Sequence, residues 1–208
     1  MKQEKISEME NIIAADYDNM AGIVIMKDGK AVYEGYFHNC TDASRIHVSS
    51  VTKSILSILI GIALDKGCID SVSQKVLEFF TDYTVKRGEE TIQHITIKDM
   101  LTMTAPYKYK CNPYTKYFTS MDWVKFSLDV LGGRGHIGEF RYAPIVGPDI
   151  LSGILVRATG QSVFDFAKEN LFAPLGITIE KTIASLFYPR AKDRIEFIKK
   201  YVEPIFEA

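Results

Sequence analysis

The segment Ile55-Leu56-Ser57-Ile58-Leu59-Ile60-Gly61-Ile62-Ala63-Leu64 constrains this chain most. It is apolar on nearly every side of a helical wheel, so it is expected to be a helix buried in a core. At ten residues it falls well short of the roughly 20 that a bilayer demands. Gly67 follows at the place where a helix commonly turns off into the left-handed region. The polar lead-in His47-Val48-Ser49-Ser50-Val51-Thr52-Lys53-Ser54 sets a serine three residues before a lysine. Positions i and i+3 share a helix face about 5–6 Å apart, so Ser50 Oγ and Lys53 Nζ can meet in the first turn. The backbone N–H groups there are unpaired and carry partial positive charge. A proton acceptor beside a hydroxyl, and a positive field where negative charge develops, are what an acyl-transfer nucleophile needs. Lysine is a poor base at its reference pKa of about 10.4. Burial along the apolar helix would lower that value. Ser50 is the only serine in the chain with a lysine three positions on. A plain N-cap serine and a surface lysine with a packed stem would give the same spacing.

With 208 residues, 47% of them hydrophobic, there is ample material for a core: one large domain or one and a half. A net charge of −1 leaves no electrostatic footprint for nucleic acid. The N-terminal Met1-Lys2-Gln3-Glu4-Lys5 lacks the apolar core of a signal peptide, which places the chain, as written, in the cytoplasm. Cys40, Cys68 and Cys111 are odd in number and widely spaced. They suit a reducing compartment and form neither a disulfide framework nor a C-x-x-C metal site.

Read in order, Ile6, Met9, Ile13 and Tyr17 recur at helical spacing. Asp28-Gly29 between Ile23–Lys27 and Lys30–Phe37 is a strong hairpin signal, and Ile46-His47-Val48 reads as a short extended lead-in to Ser50. Ser73–Phe80 reads as a short helix. Ile95–Leu101 starts another, with Thr96 and Asp99 at cap spacing and Pro106 closing it. An aromatic loop follows with Tyr107, Tyr109, Tyr114, Tyr117 and Phe118, suited to lining a cleft or to packing over helices. Asp122-Trp123 opens a helix to Leu131. Gly132, Gly133, Gly135 and Gly138 mark a flexible turn into Phe140-Arg141-Tyr142. Pro148 begins a helix with the stripe Ile150, Leu151, Ile154, Leu155 and Ala158, stopped by Gly160. Ser162 and Asp165 cap a last helix towards Leu171–Gly176. From residue 178 a divergent tail carrying Arg190, Lys192, Arg194, Lys199 and Lys200 reads as one polar helix, whose charge suits a solvated face or a partner.

Several of these blocks, in this order, resemble the serine β-lactamase and penicillin-binding-protein superfamily, in its class C-related branch. Ser50-Val51-Thr52-Lys53 with the apolar helix looks like the first motif of that family. Ile95–Thr104 looks like its "I-T-I-x-x-L-L-T-H-T" helix, and Gly138-Glu139-Phe140-Arg141-Tyr142 like its "P-G-x-x-F-x-Y" segment. Leu171-Phe172-Ala173-Pro174-Leu175-Gly176 looks like its "L-F-x-P-L-G" stretch. The resemblance covers about residues 20 to 177. It implies an α/β (α+β) fold in which an antiparallel sheet is flanked by helices beside an all-helical region, with residues 1–177 forming the N-terminal and helical part. It also implies Ser50 as the acylated nucleophile, Lys53 as acceptor or relay of its proton, and Tyr142 as the phenol serving proton transfer to the leaving group. The implied substrate is a small or peptide-like amide, lactam or ester, with no metal or organic cofactor.

Two departures stand out. The second motif of the family commonly reads Y-x-N, whereas here it is Tyr142-Ala143-Pro144, and proline offers neither an amide side chain nor a backbone N–H. The third motif, K-T-G or H-x-G, is absent after Gly176. His136-Ile137-Gly138 lies before Tyr142, where the family has its turn, and reads as a loop histidine. The chain is therefore expected to be mostly helical, lacking the C-terminal strands, as a fragment, a truncated reading frame or a chain completed by a partner. The hairpin would then keep an unpaired edge and an uncovered face. A non-catalytic remnant or binding module of the same fold is the alternative to a hydrolase.

Overall fold

The structure, a computed structural model, describes residues 3–44, 46 and 48–178. By backbone proximity the chain divides into two compact units, Met1–Ser49 and Ser50–Ala208.

In the first unit, helix α1 (Gln3–Asp16) buries Ile13. Strands β1 (Gly22–Lys27) and β2 (Lys30–Tyr36) form an antiparallel hairpin that pairs Gly22 with Tyr36 and Lys27 with Lys30. Its register shifts between Ile25 and Met26. The turn holds Asp28 at φ 51° and Gly29 at φ 74°, the left-handed pair whose twist matches the flanking strands. The Tyr33 hydroxyl donates to Glu10 at 3.0 Å and ties β2 to α1. Val24, Met26 and Val32 are exposed, and among the described residues the sheet has only these two strands. Ile46 and Val48 form no strand. His47, in the middle of that expected lead-in, lies outside the described residues.

The second unit is helical around one core. Helix α2 (Val51–Asp65) ends where the sequence indicates. Gly67 takes φ 69°, and the Cys68 N–H reaches back to the Ala63 carbonyl at 2.8 Å. Burial, however, is confined to the stripe Leu56, Leu59, Ile60 and Ala63, while Val51 and Ile58 are 58% and 51% exposed. The expectation of a helix enclosed all round is corrected: an apolar wheel does not tell which faces find a neighbour. Helix α6 (Val146–Thr159) packs on α2, on α3 (Ile97–Leu101) and on α5 (Trp123–Val130). It begins two residues before Pro148 and stops at Gly160, φ 69°. Its Gly153 is where neighbouring chain comes closest, because a Cβ there would lie 2.9 Å from the Phe80 ring and 3.0 Å from Val124.

The segment Ser73–Phe80 is not the expected helix. Only Val76–Phe79 coils, as a 3-10 turn. Lys75 is extended and bridges Thr96, the Val76 N–H donates to the Ile95 carbonyl at 2.9 Å, and the Ile97 N–H donates to the Gln74 carbonyl at 3.0 Å. Pairing to a distant segment outcompetes a local helix. The Thr96–Asp99 capping box forms as expected, with the Asp99 N–H on Thr96 Oγ1 at 3.2 Å and the Thr96 N–H on Asp99 Oδ2 at 2.9 Å. Its helix ends at Leu101, five residues before Pro106, because Met103 enters the left-handed region at φ 56°. Part of the aromatic loop is helical, as α4 (Tyr114–Phe118), and Tyr117 stacks on Trp123 at 4.9 Å. Packing rather than an open cleft accounts for that ring. Asp122 caps α5 through the Lys125 N–H at 2.9 Å. Ser162 caps α7 (Val163–Ala167), which continues as a π turn over Lys168–Phe172. The polar tail and its basic residues lie outside the described residues. Among the described residues no helix is long and apolar enough to cross a membrane.

The glycine-rich turn is held by one carboxylate. Both oxygens of Glu89 accept from the Gly133 N–H at 3.1 Å, and one also accepts from the Ile92 N–H at 3.2 Å. Lys108 Nζ sits 3.0 Å away. Desolvation of this carboxyl acts to raise its pKa, but the N–H donors and the ammonium outweigh it and hold the value below the ordinary range. A lowered folded pKa means stability that is present above the unfolded value of about 4.3 and is lost as pH falls through the folded one. Glu89→Gln is expected to cost about 1–3 kcal/mol at pH 7, read from the urea midpoint. The difference from wild type should shrink below about pH 4.

Candidate active site

Three side chains from two distant stretches meet at the start of α2. Ser50 stands at the N-cap position with helical backbone angles (φ −72°, ψ −5°), yet its hydroxyl makes no capping bond. The capping alternative is therefore not what the hydroxyl does. Instead Lys53 Nζ donates to Ser50 Oγ at 2.9 Å, and Ser50 Oγ lies 2.9 Å from the Tyr142 hydroxyl oxygen. Lys53 Nζ also lies 5.6 Å from the centre of the Tyr142 ring, within range of the ring's negative face. Just before the helix, Ser49 holds φ 44°. A non-glycine residue in this region is strained, and such strain gathers where geometry is set for a purpose.

Each of the three residues is held by something legible. The i, i+3 spacing of α2 fixes Ser50 and Lys53 on one face. Tyr142 arrives at the end of the glycine-rich turn, 92 residues away in sequence, and the backbone around it is anchored on both sides. The Gly138 N–H donates to the Thr104 carbonyl at 3.0 Å and the Arg141 N–H to the Met103 carbonyl at 2.8 Å. The following residue, Ala143, is buried, and α6 begins three residues later. The left-handed turn at Met103 thus presents two carbonyls to the strand-like approach of residues 138–141. Because α3 and α2 both pack on α6, this approach ends over the first turn of α2.

Ser50 and Tyr142 are exposed, the latter by 51%, while Lys53 is half-buried. A small cavity of about 40 Å³ touches Lys53, Met100, Met103, Tyr107, Ala143 and Gly147. Its lining is more apolar than polar, and the Lys53 amine faces the Ser50 hydroxyl. The Tyr142 phenol is held below its usual pKa. The Ser50 hydrogen bond is the largest cause and favours phenolate, desolvation opposes it, and the Lys53 charge and hydrogen bond add to the lowering. Chemically, the cluster is a hydroxyl between an ammonium donor and a phenol with enhanced acidity. Once Tyr142 is ionised, a proton can pass from Ser50 to the phenolate oxygen along one hydrogen bond, beside the Lys53 amine.

All three residues singled out in the sequence are brought together. Pro144 is half-buried two residues beyond Tyr142. His136 is exposed on the loop preceding it. Sequence reasoning missed Met103 and Arg141. Methionine carries no left-handed signal, and Arg141 stood inside the "F-x-Y" block as an unassigned position.

A protein-family model described as "Beta-lactamase" matches residues 10–179. A solved structure described as "putative beta-lactamase from Bacteroides dorei DSM 17855" superposes with a TM-score of 0.68 at 19% identity, covering 93% of this chain and 61% of that one. A second, "Putative 6-aminohexanoate-dimer hydrolase from Bacillus anthracis", gives a TM-score of 0.58 at 14% identity over 78% of this chain and 46% of that one. The chain spans about three fifths of the first structure's length and under half of the second's. At these identities the two structures show the fold, which is β-lactamase-like.

The phenol assignment is open to direct titration. With ¹³Cζ-labelled tyrosine, the Tyr142 resonance, identified by its loss in Tyr142→Phe, is expected to titrate below the ordinary value of about 10. Ser50→Ala should raise it most and Lys53→Met less, following the order of the causes. A wild-type Tyr142 titrating at or above about 10 would contradict the assignment.

Proposed function

Because the chain belongs to the β-lactamase family, we propose that it carries the nucleophile half of a serine hydrolase that acts on an amide, lactam or ester through an acyl-serine intermediate. The observation that supports this most is the chain of two 2.9 Å hydrogen bonds from Lys53 through Ser50 to Tyr142. In the reaction Tyr142 starts as its phenolate; Ser50 Oγ attacks the carbonyl carbon as its proton passes to the phenolate oxygen, and the carbonyl oxygen becomes an oxyanion. Collapse of the tetrahedral intermediate breaks the bond to the leaving group, which takes the proton back from Tyr142. Water then attacks the ester of Ser50 by the same route in reverse and releases the acid. Lys53, hydrogen-bonded to Ser50, relays that proton and, in its protonated form, offsets the negative charge that moves between Ser50 and Tyr142. Ser50 is the nucleophile, Tyr142 the acid–base and Lys53 the electrostatic partner that also shares the proton.

The first turn of α2 supplies positive potential for the oxyanion. A missing oxyanion donor costs on the order of 10²–10³ in rate. Turnover therefore depends on a second oxyanion donor as well as on the cluster. Acylation by a reactive probe asks less of the site than turnover does.

A second reading, a binding module of the same fold that turns nothing over, draws on Pro144. This residue stands where the family motif carries a hydrogen-bonding asparagine.

The two readings part on labelling. A fluorophosphonate is expected to modify Ser50, located by peptide mass, and Ser50→Ala should abolish the adduct. Tyr142→Phe should slow it by roughly 10²–10⁴-fold, the usual range for an acid–base group. The labelling rate should rise with pH as phenolate forms and level off below about pH 10. Absence of the adduct, with Ser50 also untouched by a penicillin-type probe, would favour the binding module.

A further inference from the structure

Arg141 has no place in the chemistry above, yet it is the most heavily bonded side chain near it. Its guanidinium donates to three consecutive-loop carbonyls: Tyr107 at 3.4 Å, Lys110 at 3.3 Å, and Tyr109 at a shorter distance. It also lies over the Tyr109 ring, 4.8 Å from its centre. The segment it grips is itself fixed. Tyr107 is buried and bridges Leu131, the Lys108 N–H donates to the Val130 carbonyl at 2.8 Å, and the Tyr107 and Tyr109 rings stack at 5.6 Å. Arg141 therefore clamps the residue immediately before Tyr142 to a rigid base on the end of α5.

We propose that Arg141 is a positioning residue: its fork onto the carbonyls of residues 107–110 fixes the backbone from which Tyr142 reaches Ser50. Two backbone bonds, Gly138 to Thr104 and Arg141 to Met103, hold the approach from one side. They hold the N–H side of Arg141, and the guanidinium contacts hold its Cα–Cβ direction, so the backbone is fixed from two directions where Tyr142 departs. The role needs a planar group with several donors in fixed directions, which guanidinium provides and ammonium does not. Tyr109 accounts for the other half of the clamp. Among the described residues its buried hydroxyl has no hydrogen-bond partner, and it is the face of its ring that meets the guanidinium. The charge on Arg141 is taken up by the loop carbonyls. The charged side chain set against the phenol is Lys53 from α2, so Arg141 acts on Tyr142 through place rather than through field.

The catalytic meaning of this clamp rests on the proposed role of Tyr142, but the clamp itself can be read without activity. In ¹³Cζ-tyrosine titrations, Arg141→Met is expected to return Tyr142 to about 10, the free-tyrosine value. Arg141→Lys should do the same despite keeping the charge. Tyr83 and Tyr107, both pushed well above the ordinary tyrosine value chiefly by burial, are internal controls: their resonances should stay un-ionised in both variants and report an intact core. Where wild-type labelling by fluorophosphonate is present, it should fall at least tenfold in both variants. If Ser50 is never labelled but Tyr142 still shifts in the variants, the hydrolase reading fails and the clamp stands. A Tyr142 that stays low in Arg141→Lys alone shows that charge, not the fork, is responsible and overturns the proposal. So does a Tyr142 that stays low in Arg141→Met, and so does loss of the Tyr83 and Tyr107 controls in both variants, which would make Arg141 a residue of the fold at large.

Discussion

Helix α6 is buried on nearly every side from Asp149 to Leu155, with Ile150, Ile154 and Leu155 fully buried, and it packs on α2, α3 and α5. That seam decides where everything else lies. Because α6 follows Tyr142 closely, seating the helix also seats the phenol, and because α2 is one of its partners, the phenol arrives at Ser50. Burial of each such isoleucine or leucine is worth about 1.5–3 kcal/mol, far more than the hydrogen bonds of the cluster. The site is a by-product of packing that its own polar contacts could not sustain. Polar groups enter the seam as well, the Ser127 hydroxyl donating to Asp149 at 3.3 Å, and Gly153 lets Phe80 and Val124 approach.

The three reactive groups divide the labour by their surroundings. Ser50 sits where a hydroxyl would ordinarily cap the helix, and it is released from that task to bond sideways. Lys53 is half-buried, and its amine is engaged by Ser50 and the Tyr142 ring. Tyr142 is half in solvent, so its lowered pKa comes from partners rather than from a dry pocket; burial alone would push it the other way. Salt should weaken the Lys53 contribution more than the Ser50 one, since an exposed charge pair is screened over about 8–10 Å.

Local patterns were the legible part of this chain. The hairpin at Asp28-Gly29, the capping box at Thr96, the side-chain cap at Ser162, the core positions of α6 and the ends of α2 and α6 at glycine each follow from a few adjacent residues, and each is found close to where its pattern sits. What escaped depends on partners far away. Residues 74–76 read as helix but pair with 95–97, and α2 reads as enclosed but keeps Ile58 exposed. Met103 ends α3 with no sequence cue, because a methionine in the left-handed region is tolerated only when the surrounding hydrogen bonds require it. The serine and lysine of the cluster could be found by spacing. Tyr142 could not be distinguished from the other tyrosines by periodicity, and it was the resemblance of several ordered blocks that singled it out. Arg141 was invisible until the carbonyls it grips were in view.

The central claim is that Lys53 and Tyr142 act on Ser50 as one proton-sharing unit, and a double-mutant cycle on the rate of Ser50 modification by a fluorophosphonate tests it most directly. Groups that work as a unit are strongly non-additive. The account predicts that Lys53→Met with Tyr142→Phe slows the reaction little more than the worse single variant does. Two independent losses that multiply in the double variant would contradict it.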